Sequence, residues 1–140
     1  DCSNIEFSGI GFGSADYCAS TGGDMGKASL AYGRGKIINA AALYNAAALD
    51  GVWLDFRDPD GCREETKYVK TMGFKGRFAI HPDQIKPIHD AYRPTNQELE
   101  WAKGVLEEAK TAGTGAFKYQ GKMVDAPVLA VARQIISRED

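Results

Sequence analysis

The chain has 140 residues, with 17 Lys and Arg against 19 Asp and Glu, and a formal net charge of −2. That length fits one ordinary domain, and 44% hydrophobic residues are enough for a buried core. The mild negative charge and scattered basic residues give no electrostatic footprint for nucleic acid or an anionic membrane surface, and no stretch is apolar enough to span a bilayer.

The first predicted strand runs from Ile5 to Phe12, with apolar Ile5, Phe7 and Ile10. It enters a small-residue turn, Gly13-Ser14-Ala15, that ends in Asp16. Small residues there let the backbone approach a ligand, and Asp16 offers a hard oxygen. A helix is expected over roughly Lys27 to Leu49, its first turns made irregular by Gly33 and Gly35. The second strand is read as Gly51 to Phe56, a nearly continuous apolar run suited to a parallel strand covered on both faces. The turn cluster Arg57-Asp58-Pro59-Asp60-Gly61 follows, then a helix from about Cys62 to Met72 with Gly73 as its C-cap.

The third strand is expected from Arg77 to Ile80, stopped at His81-Pro82, with a short helix from about Asp83 to Tyr92. Arg93-Pro94 breaks the pattern. Thr95 and Glu98 have capping-box spacing and open an amphipathic helix that ends near Ala112-Gly113. The alternation from Gly115 to Val124 predicts a hairpin with Gly121 in its turn. Asp125-Ala126-Pro127 opens a last apolar helix. The chain thus divides into strand–helix units over 1–93 and a helix, hairpin and helix over 94–140.

Strand–helix alternation predicts a parallel α/β sheet with ligands at the carboxyl ends of its strands. Those ends bring Asp16, then Asp55, Arg57 and Asp58, then His81 to one face. Each has a plain reading and a chemical one. Asp16 is a turn or cap carboxylate, or one ligand of a magnesium ion whose other oxygens come from elsewhere. Asp55, Arg57 and Asp58 pin a loop, or Arg57 meets an anionic ligand. His81 is a satisfied strand-end histidine, or a base or ligand contact. His89 lies on a polar helix and reads as solvated. Asp125 caps the last helix, or is a general acid carried on a lid. Gly9, Gly11 and Gly13 are not a dinucleotide fingerprint, because the third glycine is misplaced and Asp55 lies too far on. Cys2, Cys18 and Cys62 lack metal-ligand spacing and read as reduced thiols. The opening Asp1-Cys2-Ser3-Asn4 reads as the interior of a longer protein, with no signal peptide visible.

In that order, GFGSADYCAS, DGVWLDFRDPDG, GRFAIHPDQI and GAFKYQGKMVDAPVLAVAR resemble the citrate lyase beta-subunit-like family, which includes malyl-CoA and citramalyl-CoA lyases. The resemblance covers the chain from about Ile5 onward and is most specific in DFRDP, IHPxQI and QGxMxDxP. It implies an α/β fold: the C-terminal part of a (β/α)8 TIM barrel, strands six to eight, followed by a helix–hairpin–helix extension. It implies a homo-oligomer, trimer or hexamer, and a missing N-terminal barrel half that carries the family's metal-binding glutamate at the end of strand five. Three strands cannot close a barrel, so the isolated chain is expected to expose faces meant for that half.

The implied function is a magnesium-dependent carbon–carbon lyase. It would cleave a 3-hydroxyacyl-CoA thioester of the malyl-CoA or citramalyl-CoA type into acetyl-CoA or a related acyl-CoA plus glyoxylate or pyruvate. By the same resemblance Asp16 falls on a metal ligand. The N–H groups of Ala15 and Asp16 fall where the oxo-acid carboxylate is held. Phe78, Ala79, Ile80 and His81 fall where coenzyme A crosses the barrel mouth, and Asp125 falls on the catalytic acid supplied across a subunit interface. The segment Gly22 to Gly26 is shorter than the family's loop. The expected location is the cytoplasm, or the mitochondrial matrix in a eukaryote. Acyl-CoA thioesterase or malate-synthase-like chemistry on the same site, and an inactive half-barrel assembly subunit, are the alternatives.

Overall fold

The computed structural model describes residues 7–113 and 115–139. The chain divides into two compact units at Tyr92 and Arg93. The first is built on a parallel sheet of β1 (Gly9–Gly11), β2 (Ala47–Asp50) and β3 (Gly76–Arg77), in that spatial order. Gly9 pairs with Ala47 and Gly11 with Leu49, and Leu49 pairs with Gly76 and Asp50 with Arg77. The intervening helices are α1 (Ser14–Thr21), α2 (Lys27–Leu43) and α3 (Pro59–Met72). A 3-10 turn over Pro82–Gln84 leads into α4 (Ile85–Tyr92).

Several boundaries differ from the sequence expectation, each for a local reason. The described part of the first strand is only Gly9–Gly11, and Ile5 lies outside the described residues. The turn around Asp16 is the first turn of α1, whose N-cap is Gly13 and whose C-cap is left-handed Gly22. Helix α2 is regular through Gly33 and Gly35. A Cβ on Gly33 would stand 2.8 Å from the Phe12 ring, so the glycine serves close packing and leaves the helix unbroken.

That helix stops at Leu43, well short of Leu49. Asn45 turns left-handed at φ 50, its N–H donates to the Ala42 carbonyl at 3.2 Å, and Ala46 N–H donates to Ala41 at 2.8 Å. This is a Schellman ending with Asn in the place usually given to Gly. It frees Ala47 to Asp50 to pair as β2. Gly51 to Phe56, expected as the strand, is a loop. The backbone of β1 has turned into α1 by Ser14, so no strand remains beside Gly51 to pair with it. For the same reason β3 is shorter than Arg77 to Ile80. Phe78 N–H to the Asp50 carbonyl, 3.1 Å, is its last ladder contact.

Helix α3 begins at Pro59, earlier than Cys62, because Asp58 caps it by accepting from Gly61 N–H at 2.8 Å. It ends at left-handed Gly73. The core packs Phe12, Cys18, Leu30, Ala41, Ala48, Val69 and Phe74 between the sheet and the helices. Burying a Leu, Val or Phe side chain in this way is worth about 1.5–3 kcal/mol each.

The second unit contains α5 (Asn96–Ala112), an antiparallel hairpin of β4 (Phe117–Tyr119) and β5 (Lys122–Val124), and α6 (Ala126–Ile136). The capping box is present: Glu98 N–H donates to Thr95 Oγ1 at 3.1 Å, and Thr95 N–H donates to Glu98 Oε2 at 2.7 Å. Gln120 and Gly121, at φ 46 and 79, make the two-residue turn with positive φ at both centres. Ala102, Val105, Val124 and Ala132 form its core. No helix among the described residues is long and apolar enough to cross a membrane.

Candidate functional site

A cavity of about 280 Å³ opens at the carboxyl ends of the three strands. It is lined by Gly11 to Asp16, by Gly51 and Val52 after β2, and by Phe78 after β3. The structure therefore brings together Ala15, Asp16 and Phe78 from the sequence-predicted set. The lining does not include Ala79, Ile80 or His81.

Asp16 sits in the first turn of α1 and its side chain is exposed. A carboxylate there complements the positive end of the helix dipole. Its Oδ2 occupies space that a Cβ on Gly13 would approach to 3.2 Å. At the start of α1 the Ser14 N–H donates to the Phe12 carbonyl at 3.0 Å and the Tyr17 N–H to Gly13 at 2.9 Å, and Ala15 and Asp16, whose amides belong to the helix's first turn, line the same cavity. The exposed carboxylate oxygen fits one corner of a magnesium site, and the helix N-terminus beside it suits an anion that the ion would share. It cannot be the whole site, because the ion needs more oxygen donors. No group of three or more His, Cys, Asp or Glu among the described residues could hold a metal.

Phe78 forms the facing wall. Its ring lies over Gly11, where a Cβ would stand 2.6 Å from the ring edge, so only glycine lets the aromatic face close on the end of β1. Phe78, Ala79 and Ile80 are exposed. His81 stacks on Phe56, with ring centroids 4.9 Å apart and an interplanar angle of 25°. Its Nδ1 accepts from Asp83 N–H at 3.2 Å. Arg57 lays its guanidinium over the same Phe56 ring, 5.4 Å from its centroid, and its backbone N–H donates to Asp55 at 3.0 Å. Asp58 is the α3 cap.

At the end of β2 lies a buried charge network that the sequence reading did not single out, and its Arg34, Glu65 and Arg77 line a separate cavity with Val52 to Asp55. In the network Arg34, Asp50 and Arg77 are joined, and Glu65 forms an ion pair with Arg34 at 2.9 Å. Arg77 also donates to the Gly51 carbonyl at 2.9 Å, which fixes the loop lining the cavity. The sequence signal was a lone Asp50 inside the apolar run from Ala46 to Leu54, since a charge in such a run needs a buried partner. Ser14 was missed as well. It lines the cavity, is 2% exposed, and its hydroxyl meets no partner among the described residues.

Two groups outside the cavity have shifted titration. The Ser29 hydroxyl and the Gly26 N–H hold the Asp24 carboxyl below its ordinary range, in the short loop before α2. Burial pushes the Cys62 thiol up. Cys18 and Cys62 are both free and buried, and Cys2 lies outside the described residues. In the second unit, Asp125 caps α6, accepting from Val128 N–H at 3.3 Å, and is half-buried.

Comparison with known proteins gives the family. A family model described as C-C bond lyase of the TIM-barrel fold matches residues 35–140. Mitochondrial citramalyl-CoA lyase of Rattus norvegicus is 36% identical over 131 residues, which are 90% of this chain and 39% of that protein. A citrate lyase subunit beta-like protein of Mycobacterium tuberculosis is 37% identical over 137 residues, 93% of this chain and 50% of that one. Among solved structures, CitE from Mycobacterium tuberculosis in complex with magnesium, acetoacetate and coenzyme A matches with a TM-score of 0.77 at 34% identity, covering 94% of this chain and 52% of that chain. The chain spans about half, or less, of the length of these relatives. On the family match and these identities, the chain belongs to the carbon–carbon bond lyase family of the TIM-barrel fold.

Proposed function

We propose that this chain is the C-terminal portion of a magnesium-dependent carbon–carbon lyase acting on a 3-hydroxyacyl-CoA thioester. The products would be acetyl-CoA or a related acyl-CoA plus glyoxylate or pyruvate. In this reading β1, β2 and β3 are strands six to eight of a (β/α)8 barrel, and the second unit is the family's C-terminal extension. The carrying observation is a cavity that gathers Ala15 and Asp16 from the start of α1 and Phe78 at the carboxyl ends of parallel strands. A relative at 34% identity, solved with magnesium, acetoacetate and coenzyme A, supports the same chemistry.

Asp16 would supply one oxygen ligand to the ion, with another from the barrel half that precedes β1. The chemistry that bound magnesium supplies is Lewis-acid polarisation of the substrate's hydroxyl or carbonyl oxygen. The Ala15 and Asp16 N–H groups would hold the oxo-acid carboxylate, as helix N-termini hold anions. Phe78 to His81 would orient the thioester. Asp125, supplied across a subunit interface of a homo-oligomer, would move the proton at the acyl-CoA carbon that becomes nucleophilic when the carbon–carbon bond breaks. The extension would exclude water from that carbanion equivalent.

The test is product analysis on the complete polypeptide that carries this chain. Incubation with malyl-CoA and citramalyl-CoA should release a free oxo acid and a shortened acyl-CoA, and chelation should stop it. Release of free hydroxy acid and coenzyme A, with no oxo acid, would reassign the site to thioester hydrolysis.

A further inference from the structure

The segment from Phe78 to His81 carries most of the proposed thioester contacts, yet it lies outside the sheet. β3 ends at Arg77, and Phe78, Ala79 and Ile80 are exposed. One buried side chain anchors the segment. Gln84, from the 3-10 turn, is 1% exposed. Its Oε1 accepts from Ile80 N–H at 2.9 Å, and its Nε2 donates to the Trp53 carbonyl at 2.7 Å.

A single amide therefore ties the loop after β3 to the loop after β2. A side-chain amide offers a donor and an acceptor side by side, without charge and at fixed spacing. A carboxylate would accept from Ile80 but could not donate to Trp53, and would carry charge into a buried place. The neighbours of the two tied residues matter for the cavity. Trp53 follows Val52, and Ile80 stands two residues after Phe78, so the clamp sets the spacing between two of the cavity's walls. The Phe56–His81 stack links the same two loops from the exposed side, where water competes and the hold is weaker.

We propose that Gln84 is a positioning residue for the thioester. It holds Phe78 to His81 at a fixed distance from the loop after β2 and touches no substrate itself. This rests on the reading that coenzyme A crosses that segment.

The experiment uses the complete polypeptide in wild-type, Gln84→Met and Gln84→Glu forms. Isothermal titration gives the dissociation constants of coenzyme A and, separately, of magnesium, and steady-state kinetics gives KM and kcat. Gln84→Met should weaken coenzyme A binding and raise the thioester KM roughly tenfold, the effect of one well-placed hydrogen bond. Magnesium affinity should stay within about twofold, since the clamp does not reach Asp16 and a tenfold change would need about 1.4 kcal/mol. Gln84→Glu should show the same split. Native-state hydrogen exchange on the wild type reads the clamp without any variant, and Ile80 N–H should be protected although its residue is exposed. Fast exchange at Ile80, or unchanged coenzyme A binding and KM in Gln84→Met, overturns the clamp and leaves the lyase assignment standing. A wild-type protein that binds neither coenzyme A nor magnesium overturns the lyase assignment, and the Ile80 exchange still decides whether the two loops are tied.

Discussion

Arg34 meets Asp50 through two parallel hydrogen bonds, Nε to Oδ1 and Nη2 to Oδ2, each 3.1 Å long, and both side chains are almost wholly buried. Arg77 joins the same carboxylate at 2.7 Å, so one aspartate at the end of β2 answers two guanidinium groups. The pair links α2 to the end of β2, one residue before Gly51 of the Asp16 cavity.

Asp50→Asn should lower unfolding stability by about 3–5 kcal/mol, because it takes the counter-charge from buried Arg77 and leaves Arg34 with Glu65 alone. Denaturant unfolding of the complete polypeptide checks this. A loss below about 1 kcal/mol would mean the pair behaves like a solvated surface bridge.

What the sequence disclosed was the periodic and the locally capped. Thr95 with Glu98, and Gly73 after Met72, mark their helix ends by short-range chemistry, and the structure has them there. The boundaries that moved depended on distant groups. Ala46 to Leu49 has the composition of a helix, and only the left-handed turn at Asn45 and the pairing partners on β1 and β3 make it a strand. Helix α1 was hidden because its cap is a glycine with no side-chain bond. At the site, Asp16 was legible as an acid in a small-residue turn. Ser14, Gln84 and the Arg34–Asp50 pair were not, since their roles come from residues 16 to 31 positions away or from burial itself.

Gly121 allows a clean test of backbone strain. Its φ is 79, and a Cβ there would meet nothing within 4 Å. Gly121→Ala should therefore cost about 1–2 kcal/mol through the left-handed conformation alone. Denaturant unfolding that shows no loss would place this turn in a different conformation in solution.

Asp125 has a structural duty, capping α6, and a proposed chemical one. Asn caps about as well as Asp. Asp125→Asn should keep the melting temperature and lower kcat by about 10²–10⁴-fold. Asp125→Ala should add a stability loss of about 0.5–2 kcal/mol. Near-normal turnover in the Asn variant would move the acid to another residue.

Cys62 is completely buried, and burial raises its thiol from the ordinary value of 9.0, with Arg77 opposing only in part. A raised folded value means the folded state keeps its proton longer than the unfolded chain does. The contribution is full below pH 9.0 and is lost as the pH rises through the folded value. Stability of the wild type should fall on that alkaline limb, and Cys62→Ala should flatten it. Equal slopes for both proteins would assign the alkaline loss elsewhere.

The most direct measurement is a Mn²⁺ titration of the complete polypeptide, followed by electron paramagnetic resonance, in wild-type and Asp16→Asn forms. One divalent ion should bind the wild type, and the Asn variant should bind it at least about tenfold more weakly while its melting temperature holds. Equal affinity in the two proteins would show that the carboxylate at the start of α1 holds no metal.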